Sequence, residues 1–181
     1  MMRRTLIGAC AALLAALAVA GCGGSSSSGT TATDTWASGV CTAITTWQNQ
    51  LKSIETSVKS GSVTKASINS AVSQAQSATE QLGKSLKKLG KPDTQAGQQA
   101  KTDVQNLSDD LSKGVKTIED AVSNASGAAG VLSAVSTAAG TLSTMVTQVT
   151  TTMTDLQQLD ATGELEKAFK NSAACKPLLG S

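Results

Sequence analysis

From Trp36 onward, apolar side chains recur at steps of three and four residues through four long stretches, and no other feature narrows the fold as much. The first stretch carries Trp36, Val40, Ile44, Trp47, Leu51, Ile54 and Val58. Thr33 or Asp34 is placed to cap its start and Gly61 to end it. The second carries Ile68, Val72, Ala75, Thr79, Leu82, Leu86 and Leu89, and stops at Gly90 and Pro92. The third runs through Ala100, Val104, Leu107, Leu111, Val115, Ile118, Val122 and Ala125. The fourth runs through Leu132, Val135, Ala139, Leu142, Val146, Val149, Met153 and Leu156. A short last helix is expected over 164–173, with Leu165 and Phe169 on its apolar side. Short connections between long amphipathic helices make neighbours antiparallel, so the pattern predicts an all-α, up-down-up-down four-helix bundle with a short C-terminal helix. Composition agrees. Two Trp, one Phe and no Tyr leave Ala, Val, Leu and Ile to fill the core, and only two prolines interrupt the chain.

The first 22 residues follow different rules. Arg3 and Arg4 form a positive start, residues 6–20 an apolar run shorter than the ~20 residues a membrane span needs, and small residues precede Cys22. Val19-Ala20-Gly21-Cys22 resembles the lipobox of bacterial lipoproteins. That resemblance implies cleavage before Cys22, a diacylglyceryl group on its thiol and acylation of the new amine, since two or more chains are needed for a stable anchor. It divides the chain into a signal peptide (1–21), a Gly/Ser/Thr linker (22–33) and a helical bundle domain (34–181). It also implies a location on the extracytoplasmic face of the cell membrane. The arginine pair leaves both the general secretory and the twin-arginine export routes open. An alanine-rich leader followed by "CGGSSSS" resembles lipoproteins of high-GC Gram-positive bacteria. The body is similar to their small secreted helical proteins of unknown function, with terminal cysteines and a tryptophan soon after the first ("CTAITTW").

With Cys10 in the leader and Cys22 lipidated, Cys41 and Cys175 remain as an even pair in an oxidising compartment, which reads as a disulfide. Such a bridge closes a loop of more than 130 residues. It also checks the topology. An even number of full-length helices returns Cys175 to the level of Cys41, whereas an odd number leaves them a helix length apart.

Several functions are disfavoured. No histidine is present, so the usual neutral-pH base and commonest metal ligand are missing. No phosphate-loop, dinucleotide or nucleophile-elbow motif appears, and Asp109, Asp110, Glu119 and Asp120 lack calcium-loop spacing. Neither an enzyme, a cofactor nor a metal site is expected. The formal charge of +2 belongs to Arg3 and Arg4; the body balances thirteen lysines against thirteen carboxylates and has no arginine, which argues against nucleic acid as a partner.

The unusual stretch is 121–154, which carries no charge at all. Its hydroxyl residues are too frequent for a membrane span. Either the fourth helix is partly buried through its small side chains, or it is a contact surface. The third and fourth helices are expected to exceed the first two by about five residues, so their hairpin overhangs at the end away from the lipid. Ser123, Asn124, Val131 and Leu132 are therefore the candidate contact surface. Lys84, Lys87, Lys88 and Lys91 gather at the end of the second helix, where positive charge suits the helix dipole and where anionic headgroups are within reach. Trp47 is expected in the core and Trp36 half covered, and Gly114 and Gly140 suggest close helix contacts. The functional expectation is a lipid-anchored envelope lipoprotein with a helical interaction or structural module. It is held by its N-terminal lipid and meets an envelope protein partner; the alternative is a carrier of an apolar ligand.

Overall fold

The computed structural model describes residues 31–60 and 63–179. The expected leader, Cys22, the linker up to residue 30 and the Gly61 stop lie outside the described residues. Four long helices follow one another: α1 (Ala32–Ser60), α2 (Lys65–Leu89), α3 (Gly97–Ser123) and α4 (Gly127–Gln158). Then come α5 (Glu164–Asn171), a 3-10 turn (Ala173–Cys175) and α6 (Lys176–Leu179). The bundle is all-helical among the described residues, as the spacing predicts.

Thr31, rather than Thr33 or Asp34, caps α1. The Asp34 N–H donates to Thr31 Oγ1 at 3.0 Å, and the Thr31 N–H donates to Asp34 Oδ2 at 2.9 Å. This reciprocal pair satisfies two otherwise orphaned donors, while Thr33 is buried. The helix thus starts just before residue 33. Thr64 and Ser67 cap α2 in the same manner. Gly90 ends α2 at a φ of 69°, a conformation side chains with a Cβ rarely adopt, and Pro92 sits buried in the turn behind it.

Each long helix packs on the next, but α1 and α4 form no helix pair of comparable extent. Between them lie α5, the 3-10 turn and α6, all of which touch α1. Cys175 is bonded to Cys41 with their Cα atoms 4.9 Å apart, as the even helix count requires. Trp36 was expected to be half covered, yet is 4% exposed. The chain returning through α5 covers it: Phe169 packs edge-on at 6.0 Å between ring centroids, and Trp36 Nε1 donates to the Gly90 carbonyl at 3.3 Å. Deeper in, Trp47 is 1% exposed and its Nε1 donates to Thr79 Oγ1 at 3.0 Å. A lower core gathers Val40, Ile44, Trp47, Leu111, Met153 and Phe169, and a smaller upper one joins Ile68, Val72, Ile118, Val122, Ala125 and Ala134.

At the α4–α5 turn, Asp160 accepts from the Thr162 hydroxyl at 2.8 Å and from backbone N–H groups of Thr162 and Glu164. These bonds, led by the Thr162 hydroxyl, hold its carboxyl below the ordinary carboxylate range. The turn's contribution is therefore present above that range and lost as pH falls through the lowered value.

Candidate functional site

The fourth helix departs most from the expected pattern. The stripe Leu132, Val135, Ala139, Leu142 and Val146 reads as core in the sequence. The structure buries the rest of the expected stripe, Val149, Met153 and Leu156, but over this first part it buries Ala134 and Met145 instead. Leu132 is 72% exposed and Val146 49%, Ala139 is exposed, and Val135 and Leu142 are half-buried. The reason is architectural. α4 carries apolar residues around a wide arc, and its inner part packs on α3. The lateral part would face α1, and that helix pair does not form. Only 11% of the most apolar stretch of α4 is buried, although this helix is by length and composition apolar enough to cross a membrane.

Several hydroxyls on this helix bond to its own backbone. Hydroxyls of Thr144, Thr147, Thr150 and Thr154 donate to the carbonyls four residues earlier, at 3.0 to 3.2 Å. A threonine bonded this way turns its methyl outward and keeps its hydroxyl bond when water is removed. Where that bond is made, covering the hydroxyl strands no donor, which is the main cost of burying a polar surface. No Asp, Glu or Lys lies between residues 121 and 154, so no charge is desolvated either.

The expected overhang of the α3–α4 hairpin is not observed. α3 has 27 residues against 29 in α1, and only α4, with 32, is longer. The Lys65 ammonium donates to the carbonyls of Ser123 (3.3 Å) and Ala125 (2.7 Å), tying the hairpin turn to the first turn of α2. Ser123 and Asn124 are exposed, and the Asn124 side chain donates to the Asp120 carbonyl at 2.8 Å, closing the end of α3. Val131 is half-buried against the upper core, which leaves Leu132 as the apolar member of that set facing solvent. The lateral stripe of α4, rather than the hairpin tip, is the larger apolar surface.

Gly114 fulfils its expected role: a Cβ there would lie 2.9 Å from Met145 Sδ on α4. Gly140 does not, since a Cβ there meets nothing within 4 Å. Two open grooves run beside α4, of about 390 and 470 Å³, lined by Thr and Gln, by the charged Asp103, Asp110, Lys113 and Asp155, and by the apolar Leu107 and Met145. Among the described residues no cluster of His, Cys, Asp and Glu is arranged to hold a metal. Comparison of the chain with protein-family models, curated proteins and solved structures finds no match.

Proposed function

We propose that this chain is a lipid-anchored lipoprotein of the bacterial cell envelope, held by acylated Cys22 on the extracytoplasmic face, and that its bundle docks another envelope protein through the lateral face of α4. The observation that carries the docking half is a 32-residue helix, without charge from residue 127 to 154, that leaves Leu132, Val135, Leu142 and Val146 wholly or partly open to solvent. A complementary partner offers an aliphatic, uncharged groove or helix, the usual arrangement for helix-in-groove recognition. The anchoring half rests on the lipobox-like Val19-Ala20-Gly21-Cys22.

Each half has its own test. Cys22→Ser is expected to abolish incorporation of labelled fatty acid by cells producing the protein; undiminished labelling contradicts the anchor. Leu132→Lys with Val146→Lys is expected to leave unfolding free energy within about 0.5 kcal/mol per site, because both side chains are exposed. The same pair should remove the protein from any crosslinked envelope complex, because two ammonium groups would have to be desolvated against apolar surface. Unchanged crosslinking with the pair in place contradicts the docking face.

A further inference from the structure

The corner where α1 begins and α2 ends collects positive charge. Lys84, Lys87, Lys88 and Lys91 are all exposed, and none has an ion-pair partner among the described residues. The helix dipole accounts for Lys87 and Lys88, which lie in the last turn of α2. It does not account for Lys84, a turn earlier, or for Lys91, which follows the Gly90 cap. The carboxylates nearby are few. Asp34 is engaged by the Thr31 N–H and hydroxyl, both at 2.9 Å. Asp93 stands exposed in the turn, and Glu80 and Asp109 share a groove with Lys84 and Lys87.

The start of α1, from which the chain runs back toward Cys22, lies beside this corner. The bond from Trp36 Nε1 to the Gly90 carbonyl, and the packing of Leu89 at Gly39, set the start of α1 against the end of α2. The chain that leads back to Cys22 therefore departs from the lysine corner. From Cys22 to Thr31 there are nine peptide steps, which span at most about 30 Å. A headgroup surface held that close presents its charge at high effective concentration.

We infer that this corner is a second membrane contact, in which Lys84, Lys87, Lys88 and Lys91 dock onto anionic phospholipid headgroups and fix how the bundle stands on its lipid. The inference rests on the Cys22 anchor. Each lysine brought to an anionic surface raises occupancy roughly fivefold at physiological salt, and tethering makes even a weak contact persistent.

The test uses the mature protein extracted from membranes and reconstituted into vesicles of phosphatidylcholine alone or with phosphatidylglycerol. Flotation reports the anchor, and acylation of lysines by a water-soluble reagent, read by peptide mass, reports docking. Expected is flotation with both vesicles, with Lys87, Lys88 and Lys91 about fivefold less reactive on the anionic one. Lys59 and Lys116, which lie toward the opposite end of the bundle, should be unchanged. The protection should vanish in about 1 M salt, where screening is nearly complete. Flotation with equal reactivity on both vesicles overturns the docking contact and leaves the anchor standing. Failure to float on either overturns the anchor and the inference together. Equal protection by soluble polyphosphate alone overturns the assignment to a lipid surface.

Discussion

Replacing Cys41 and Cys175 together by serine is expected to lower the unfolding free energy by about 5 kcal/mol. The bridge spans a sequence separation of 134 residues, and chain-entropy reasoning assigns closure of so long a loop about that much. For a domain of this size the corresponding fall in Tm is about 10–20 °C. Two features push toward the full effect. Both sulfurs are wholly buried, so the bridge sits inside the lower core. In addition, α1 and α4 do not pair directly, and the segment ending at Cys175 is what packs against α1. Without the bridge, Phe169 loses its restraint against Trp36, so the fluorescence of Trp36 should report loosening before global unfolding. Thermal and urea unfolding of the double variant check this; a Tm change of only a degree or two would show that α5 holds without its staple.

The second large effect is expected at Trp47. Trp47→Ala should cost about 3–5 kcal/mol, the usual range for deleting a large buried aromatic. Trp47 is 1% exposed and packs in the lower core among residues of all four long helices. Two smaller changes separate its packing from its hydrogen bond. Trp47→Phe keeps most of the ring and removes the donor to Thr79, with an expected cost of about 1–2 kcal/mol. Thr79→Val leaves the buried indole N–H without its acceptor and should cost about 1–3 kcal/mol. Denaturant titration orders the three; Trp47→Ala no more harmful than Trp47→Phe would contradict the packing role.

How much of this was legible varies along the chain. In α1, α2 and α3 the stripe named by spacing is the stripe that is buried, from Trp36 to Trp47, Ile68 to Leu86 and Ala100 to Val122. Lysines and carboxylates mark the outer faces of those helices and fix the phase of the inner ones. Toward Ser60 the apolar side chains of α1 are only half covered, because α2 is the main partner remaining there. In α4 the one charge, Asp155, lies near its end, so over most of the helix nothing marks an outer face and two adjoining stripes compete. Spacing favours Leu132 to Val146, while packing on α3 selects Ala134 and Met145. A doubled stripe without charge was itself the readable signal of an apolar surface left over. The burial of Trp36 depended on Phe169, a contact that no local pattern encodes. The pairing of Cys41 with Cys175 was legible because they are the two cysteines left in the body, and helix parity, a global property that needs no side-chain detail, agrees with it.

The α4 face is tested most directly by a photo-crosslinking residue at position 146 in the lipidated protein, activated in intact cells, with the exposed position 59 as a control. One envelope protein captured from position 146 and not from position 59 is the predicted result. No adduct at 146, or the same adducts from both positions, would contradict the account.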